Sequence, residues 1–217
     1  MHVVVLVSGG GTNLQAILDR LASGVLRNVR IVRVISSSYD AYALRRAADA
    51  HIPTSVIARK DFTDTDAYDR GMLSELQKDE ADLIVLAGFL SLLGPLTVHA
   101  FSGRILNIHP SLIPAFCGHG MYGIRPHEAA IKRGVKISGA TVHFVTEGYD
   151  EGPILLQKAI GVEPDDTPQS LQQRIMRECE QEILPEAIQL IADKRVCLDH
   201  NRVIILPNSA KTSEGES

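Results

Sequence analysis

The sequence predicts an α/β fold built on an open, mostly parallel sheet with helices on both faces. Residues 3–7 and 82–87 are continuous aliphatic runs, which are typical of parallel strands buried on both faces. Strand-like runs alternate with helical patterns up to about residue 110, which favours right-handed βαβ units and a Rossmann-like arrangement. Two long strand-like runs then follow with a short connection, so we expect an antiparallel strand pair in the C-terminal half.

The first half of the chain supplies the predicted parallel strands and their crossover helices. Apolar residues recur with helical spacing between the strand-like runs, as in helices that pack one face on a sheet. Pro110 ends the last of these strands, because proline cannot donate to the ladder and restricts the residue before it. In order, the pattern predicts a strand at 3–7, a helix ending near 21, a strand at 31–35, a helix at 42–50, a strand at 54–57, a helix at 66–78, and strands at 82–87 and 104–108.

The second half begins with a helix and continues into the strand pair. The segment Asp165-Asp166-Thr167-Pro168 has the composition of a helix start, with proline in the first turn. Pro185 should kink the helix that follows or mark a break in it. We predict a helix at 125–133, strands at 135–146 and 153–162, one long helix at 167–192, and a small hairpin within 197–206.

The length of 217 residues suits one globular domain, and no linker or internal repeat divides the chain. Residues 1–206 are therefore expected to form a single domain, and residues 207–217 have the composition of a tail.

Composition and charge point to small-molecule substrates. The formal net charge is −4, without the basic excess of a nucleic-acid-binding protein. No apolar stretch approaches the roughly 20 residues of a membrane span, and the N-terminus lacks the features of a signal peptide. Cys117, Cys179 and Cys197 are widely spaced and odd in number, which favours reduced thiols in a cytoplasmic protein. The sequence leaves open whether the protein is a monomer or a homodimer.

A glycine-rich turn lies between the first strand and the first helix. Its sequence is Ser8-Gly9-Gly10-Gly11-Thr12-Asn13, and the following helix N-terminus offers free N–H groups to an anion. The spacing matches neither the dinucleotide fingerprint nor a Walker loop, so a monophosphate is favoured over a dinucleotide. The alternative is a tight turn in which Thr12 or Asn13 merely caps the helix.

Asn107 and His109 are the main candidates for catalysis. They lie two residues apart in a predicted strand, so their side chains share one face at the point where the sheet gives way to a loop. An amide donor beside a titratable ring suits a reaction in which an oxygen gains negative charge. Asp150, in the turn between the two later strands, is the best candidate for an orienting carboxylate. Each residue also has a purely structural alternative.

Other chemistries find little support in the sequence. There is no Gly-x-Ser-x-Gly elbow. His127-Glu128 begins like a zinc-protease helix but lacks the second histidine, so no metal site is expected. His143 alternates with apolar residues and either lines the cleft or belongs to the core.

Five segments of the chain resemble phosphoribosylglycinamide formyltransferases, the folate-dependent enzymes of purine synthesis, and the resemblance covers roughly residues 1–200. The segments are Ser-Gly-Gly-Gly-Thr-Asn-Leu (8–14), Leu-Ala-Gly-Phe-Leu (86–90), Leu-Asn-Ile-His-Pro-Ser-Leu-Ile-Pro (106–114), Gly-Ala-Thr-Val-His-Phe-Val-Thr (139–146) and Asp-Glu-Gly-Pro-Ile-Leu-Leu-Gln (150–157).

The resemblance implies transfer of the formyl group of 10-formyltetrahydrofolate, a co-substrate, to the amine of 5-phosphoribosylglycinamide, without a metal. It implies that residues 1–110 form a phosphate-binding βαβ half and residues 111–206 a folate and catalytic half. Asn107, His109 and a carboxylate would act on a tetrahedral oxyanion intermediate, with His109 protonated. The implied site residues are Asn107, His109 and Asp150 for catalysis; Gly11, Thr12, Asn13 and Glu180 for the phosphoribosyl substrate; and Leu90, Ser91, Leu92, Leu93, Asn107, Thr146, Glu147, Gly148, Tyr149 and Asp150 for the folate.

The chain departs from the family pattern near the folate. Ser91 and Thr65 stand where the family often has basic residues, which puts folate affinity in question, although Lys60 is a possible substitute. Residues 115–124, which include Cys117, resemble a longer loop form and suit either a mobile cover or an ordinary surface loop.

Two rival functions remain. Formyltetrahydrofolate deformylases resemble the chain through the same trio but use water as the acceptor, and they usually carry an extra N-terminal domain. A non-catalytic phosphate sensor would need the glycine turn alone.

Overall fold

Seven strands form one sheet in the computed structural model, which describes residues 1–208. The strand order is β3-β2-β1-β4-β5-β6-β7, with β1 to β5 parallel and β6 and β7 antiparallel to their neighbours. The open, mostly parallel α/β fold and the antiparallel pair are thus confirmed. The strands are β1 (His2–Val7), β2 (Arg30–Ser36), β3 (Thr54–Val56), β4 (Leu83–Leu86), β5 (Ile105–His109), β6 (Ile137–Phe144) and β7 (Ile154–Gly161).

Helices cover both faces of this sheet, as predicted. Because the central strands are buried on both faces, their side chains divide between two apolar cores. One core lies under α1, α2, α6 and α7, and the other under α3 and α4. The helices are α1 (Thr12–Ala22), α2 (Tyr42–Asp49), α3 (Thr65–Lys78), α4 (Pro95–Ala100), α5 (Arg125–Arg133), α6 (Pro168–Ile175) and α7 (Gln181–Ala192), with a 3₁₀ turn at Arg59–Asp61.

The predicted long helix at 167–192 is interrupted. Its middle turn, Met176–Glu180, is π-helical and separates α6 from α7. Pro185 lies inside α7 and does not end it. Because proline has no N–H to bond the carbonyl four residues earlier, it disturbs the helix on its N-terminal side, where the π-helical turn is found.

The sequence pattern did not predict α4, which has only six residues. Asp69 of α3 makes this short helix possible, because its buried carboxylate accepts hydrogen bonds from the backbone N–H groups of Leu96 and Thr97. A side chain 27 residues away therefore caps a helix whose local start signal is a single proline, Pro95, in its first turn.

The predicted terminal hairpin is confirmed as the antiparallel strands β8 (Val196–Asp199) and β9 (Arg202–Ile205). Most of the predicted tail at 207–217 lies outside the described residues. No helix within residues 1–208 combines the length and the apolar character that crossing a membrane requires.

Strand order determines where a ligand can enter. The chain leaves β1 toward β2 and β3 on one side and returns to β4 on the other side. The crossovers on either side of β1 therefore diverge at the carboxyl ends of β1 and β4, which creates a crevice there.

Candidate active site

A cleft of about 620 Å³ opens at this crevice, at the carboxyl ends of β1, β4 and β5. Its walls come from the start of α1, the segment after β4, the end of β5, the loop before α5, the β6–β7 connection and the α6 region. The volume is typical of a site for a small molecule.

Asn107 and His109 project into the cleft from the end of β5, as their spacing predicted. The strand ends at His109, and Pro110 follows. His109 is buried, and its Nε2 lies 3.0 Å from the carbonyl oxygen of Phe116. Because a carbonyl oxygen can only accept, Nε2 carries a proton and Nδ1 is left to face the interior of the site.

Asp150 reaches the same place from the β6–β7 connection. Its Oδ2 lies 3.5 Å from Nδ1 of His109 and accepts a 2.9 Å hydrogen bond from the backbone N–H of Gly118. Asp150 adopts a positive φ of 55°, a conformation that aspartate tolerates better than most residues. The structure thus brings together the three residues predicted to be catalytic, although 43 positions separate Asn107 from Asp150 in the sequence.

His143 belongs to this cluster and lines the cleft, the first of its two alternatives. It pairs with Asn107 across β5 and β6. Its Nδ1 lies 2.9 Å from the carbonyl oxygen of Phe144, and its Nε2 lies 3.1 Å from the Asn107 amide nitrogen and 3.5 Å from Oδ1 of Asp150. In the neutral ring Nε2 accepts from Asn107, and in the protonated ring it donates to Asp150. The contact with Asn107 fixes which end of that amide presents N–H groups, and it leaves the second N–H for a ligand.

The electrostatics keep Asp150 ionised and His109 neutral. Burial favours a protonated carboxyl, but His143, His109 and the Gly118 N–H together hold the pKa of Asp150 below its ordinary value. Burial lowers the pKa of His109, although Asp150 and the Phe116 carbonyl act in the opposite direction. Both ring nitrogens of His109 nevertheless face acceptors, the Phe116 carbonyl and Asp150, which stabilise a proton once one arrives.

The loop at 115–124 is attached to these residues. Its Phe116 carbonyl and Gly118 N–H contact His109 and Asp150, and the ring of His119 packs edge-on against Tyr149 at 5.4 Å. Cys117 donates its thiol hydrogen to the carbonyl of Pro114, and burial raises the pKa of that thiol. Cys117 is thus held as a neutral thiol and not as a thiolate nucleophile.

The glycine turn forms the opposite end of the cleft. Thr12 and Asn13 line it, and no side chain caps α1, so the first N–H groups of the helix remain for a ligand. Gly11 is the predicted site residue that does not line the cleft. Its φ is 71°, and a Cβ built on it would lie 2.6 Å from the Cβ of Ala43, so its role is to let α2 pack against the turn.

Glu180 lies beside the glycine turn. Its Oε2 accepts a 2.7 Å hydrogen bond from Asn13, and burial raises the pKa of its carboxyl. The π-helical turn also brings Met176 within 2.9 Å of the Thr12 hydroxyl. Oδ1 of Asn13 is buried without a partner, which leaves an acceptor beside the site.

The residues expected to hold folate all line the cleft. The segment after β4 exposes Leu90 and Leu92, at 62% and 59%, and the Leu90 N–H is held by the Ser8 hydroxyl at 2.7 Å. The cleft is lined by Leu90, Ser91, Leu92 and Leu93 from this segment and by Thr146, Glu147, Gly148, Tyr149 and Asp150 from the β6–β7 connection.

Sequence reasoning missed the position of His127. It was considered only as a zinc ligand, yet its buried ring lies in the cleft wall, and neither ring nitrogen has a hydrogen-bond partner. Burial, with a contribution from His109, lowers its pKa to about 4. Within residues 1–208, no group of three or more histidine, cysteine, aspartate or glutamate side chains is arranged to hold a metal ion.

The fold and cleft define an α/β protein in which a helix N-terminus and an amide–imidazole–carboxylate cluster face one binding site. A family model described as formyl transferase matches residues 1–188, and the chain belongs to this family.

Similar proteins carry more specific names. The chain is 40% identical over 216 residues to a phosphoribosylglycinamide formyltransferase of Haemophilus influenzae, covering 98% of this chain and 99% of that protein. Its structure matches glycinamide ribonucleotide transformylase 1 from Symbiobacterium toebii with a TM-score of 0.89 at 43% identity, covering 95% of this chain and 94% of that one. A formyltetrahydrofolate deformylase from Pseudomonas syringae matches at 28% identity with a TM-score of 0.83, covering 95% of this chain and 66% of that one.

Proposed function

We propose that this protein transfers the formyl group of 10-formyltetrahydrofolate to the amine of 5-phosphoribosylglycinamide in de novo purine synthesis. The observation that carries the proposal is the convergence of Asn107, His109 and Asp150 in a cleft that also contains the uncapped N-terminus of α1. The names of the similar proteins support the same reaction.

The acceptor substrate would lie between the glycine turn and the catalytic residues. Its phosphate would receive hydrogen bonds from the backbone N–H groups of Thr12 and Asn13, at the positive end of the α1 dipole. The ribose hydroxyls would contact Glu180, which Asn13 holds in place at 2.7 Å. This arrangement would direct the amine of the substrate toward the end of β5.

The donor fits the opposite wall. Its ring system would pack on the apolar segment 90–93, and the β6–β7 connection would contact the pterin. When bound, the donor supplies an electrophilic formyl carbon, and the cleft volume of about 620 Å³ suits a ligand of this size.

In the proposed reaction, the residues of the chain stabilise charge and carry one proton. As the amine nitrogen bonds to the formyl carbon, the free N–H of Asn107 donates to the developing oxyanion. The His109–Asp150 pair accepts the proton that the amine loses and gives it to the folate nitrogen as the old carbon–nitrogen bond breaks. The neutral His109 and ionised Asp150 of the resting state are the forms that such a proton carrier needs.

An assay of tetrahydrofolate formation, with and without phosphoribosylglycinamide, tests the proposal. Product should form only when the amine is present. Asn107→Ala should lower kcat by about 10²–10³ and His109→Ala by about 10²–10⁴, while acceptor binding changes by less than about threefold. His2→Ala, at an exposed position, serves as the control. Near-normal kcat in either catalytic variant would remove that residue from the mechanism.

The same assay distinguishes the alternative hydrolase. A deformylase uses water as the acceptor, so it would release formate at the same rate without the amine. That result would assign the chain to the activity of its more distant structural neighbour.

Further parts of the proposal concern the setting of the reaction. We propose that residues 1–206 act as one domain, in which residues 1–110 bind the phosphate. The folate and catalytic contacts come from both halves, since Asn107 and His109 lie before residue 110 and Asp150 lies after it. The described cysteines are free thiols, which supports a cytoplasmic location. The protein would act as a monomer or homodimer on small molecules, without a metal ion and without nucleic acid or membrane partners, as the net charge of −4 favours.

A further inference from the structure

The carbonyl that faces His109 belongs to a segment with an unusual backbone. The segment consists of residues 111–116, shortly after β5, and its Phe116 carbonyl oxygen lies 3.0 Å from Nε2 of His109. Phe116 has a φ of 52°, a left-handed conformation that bulky residues rarely adopt. Such a conformation persists only where the surrounding structure holds it, so other contacts of the segment determine where this carbonyl points.

A row of three polar side chains lies beside the segment 111–116. Thr141 of β6 is paired with His109 of β5, and Gln157 of β7 is paired with Thr141. Side chains of directly paired residues project to the same face of a sheet, so these three are neighbours across three strands. Each of them contacts the segment 111–116.

The hydroxyl of Thr141 is fully occupied by this segment and its neighbour. It donates to the Ser111 carbonyl at 2.7 Å, and it accepts from the N–H of Ile113 at 3.1 Å and from the Gln157 amide at 3.0 Å. A hydroxyl has one hydrogen to donate and two lone pairs to accept with, and all three are used. Thr141 is 0% exposed, so it holds the backbone in place and offers nothing to a ligand.

Gln157 and Ser111 hold the remaining groups of the segment. The Gln157 amide also donates to the Ile113 carbonyl at 3.0 Å. The Ser111 hydroxyl donates to the Ala115 carbonyl at 2.6 Å and lies 3.3 Å from the carbonyl oxygen of Phe116. The side-chain contacts therefore continue along the segment to the carbonyl that His109 bonds.

Two acceptors compete for the single N–H of a neutral His109 ring. The Phe116 carbonyl, 3.0 Å from Nε2, favours the Nε2–H tautomer, whereas the Asp150 carboxylate, 3.5 Å from Nδ1, favours the Nδ1–H tautomer. The shorter distance gives the carbonyl the advantage. Only the Nε2–H tautomer leaves the lone pair of Nδ1 free to accept a proton beside Asp150, so the position of the carbonyl decides which nitrogen can act as the base.

We propose that three positioning residues aim the Phe116 carbonyl at Nε2 and thereby keep His109 in the Nε2–H tautomer. These residues are Ser111, Thr141 and Gln157. The effect on the reaction rate rests on the proposed function, which this assignment extends. None of the three lines the cleft, so they act through His109 and do not contact a substrate.

NMR of the protein with ¹⁵N-labelled histidine measures the tautomer without any substrate. At pH 7.5 the unaltered protein should show the Nε2–H form of His109, with the signal assigned by its loss in His109→Gln. Thr141→Val replaces the hydroxyl with a methyl group. The Nδ1–H form should then become the major one, since a carboxylate is the stronger acceptor once the carbonyl is displaced. kcat should fall about three- to tenfold, with KM for both substrates changed by less than about twofold.

Two further variants separate the hydrogen bonds from side-chain packing. Thr141→Ser keeps the hydroxyl and loses a methyl group, so it should keep the Nε2–H form and a kcat within about twofold of the original. Gln157→Met changes an exposed position and removes only the amide contacts. It should lower kcat about two- to threefold with a partial change of tautomer, and it provides the test if Thr141→Val folds poorly.

Thr97→Val is the matched control. Thr97 is also 0% exposed, and its hydroxyl donates to Asp69; neither residue lines the cleft. This variant should lower the free energy of unfolding and leave the His109 tautomer and kcat unchanged. His143, whose Nδ1 faces the Phe144 carbonyl, should keep its own tautomer in every variant and serves as the internal reference.

The NMR measurement separates this assignment from the proposed function. If formyl transfer is absent but Thr141→Val changes the tautomer, the reaction is wrong and the positioning role stands. If transfer occurs and Thr141→Val changes neither the tautomer nor kcat, the reaction stands and the positioning role is overturned. A change of tautomer without a loss of kcat, or an equal change in Thr97→Val, would also overturn it.

Discussion

Acid is expected to destabilise this protein through His127 before most carboxylates become protonated. The imidazole is 1% exposed, and neither ring nitrogen has a hydrogen-bond partner. A charged ring at this position would lose its hydration without gaining an acceptor, so burial lowers its pKa to about 4. The unfolded chain exposes the same ring to water, where its ordinary value is 6.5.

The sign and size of the effect follow from these two values. The pKa is lower in the folded state, so the unfolded state binds the proton more tightly, and the free energy of unfolding falls as the pH drops below 6.5. Relative to neutral pH, the loss is about 1.4 kcal/mol at pH 5.5 and about 2.5 kcal/mol at pH 4.5. It is complete about one pH unit below the folded pKa, near pH 3.

Replacement of the ring isolates this contribution from other titrating groups. The lowered pKa of His109 adds to the acid loss, whereas the raised pKa of Glu180 opposes it. Both groups remain in His127→Phe, so the difference between the two proteins reports His127 alone.

Urea unfolding of both proteins at pH 7.5, 5.5 and 4.5 gives that difference. The unfolding free energy of His127→Phe minus that of the unaltered protein should rise by about 2.5 kcal/mol as the pH is lowered from 7.5 to 4.5. His2→Ala, which removes an exposed imidazole, should show no such gain. A difference that stays constant with pH would refute the reasoning, whatever its value at neutral pH.

Two further predictions concern the positions that support the site. Gly11→Ala should cost about 2–4 kcal/mol of unfolding free energy, since it combines an unfavourable positive φ with overlap against Ala43, and it should raise KM for the phosphate-bearing substrate. Gly24 has the same φ of 71°, but a Cβ built on it would have no atom within 4 Å. Gly24→Ala should therefore lower the free energy of unfolding in urea by only about 1–2 kcal/mol and leave KM unchanged. Equal losses at both positions would contradict the contribution assigned to the overlap with Ala43. Asp69→Ala should cost about 2–4 kcal/mol, because two N–H groups of α4 lose a charged acceptor; a loss below about 0.5 kcal/mol in the same measurement would contradict that role.

The sheet could be predicted from the sequence because its strands are buried on both faces. A parallel strand in that setting needs a continuous aliphatic run, and residues 3–7 are all fully buried. The six-residue α4 and the π-helical turn at 176–180 could not be predicted in the same way. Asp69 caps α4 from 27 residues away. Pro185 indicates a disturbance of the helix before it, but the position of the π-helical turn goes with the packing of Glu180 and Met176 against the glycine turn, which the sequence does not show.

The candidate site was predictable where local chemistry is unusual. Asn107 and His109 lie at a strand end that proline terminates, and Asp150 lies in a turn, so each has a signal in the sequence. His127 has none, since a histidine early in a helix is ordinary and only its three-dimensional surroundings leave both ring nitrogens unpaired. The protonation state of His109 was also beyond the sequence, because burial and Asp150 act in opposite directions and only the structure gives their balance.

The change of strand direction at β6 is what completes the cluster. Because β6 is antiparallel to β5, the residue opposite Asn107 is His143, and the next inward-facing pair is His109 with Thr141. Side chains alternate between the two faces of a sheet, so a slip of one residue between β5 and β6 would place His143 on the opposite face. Asn107 would then lose the acceptor that orients its amide, while its own position at the end of β5 would be unchanged. The orientation of Asn107, the proposed oxyanion donor, is therefore a consequence of strand register, and variants that disturb the β5–β6 pairing should lower kcat even where every proposed catalytic side chain is retained.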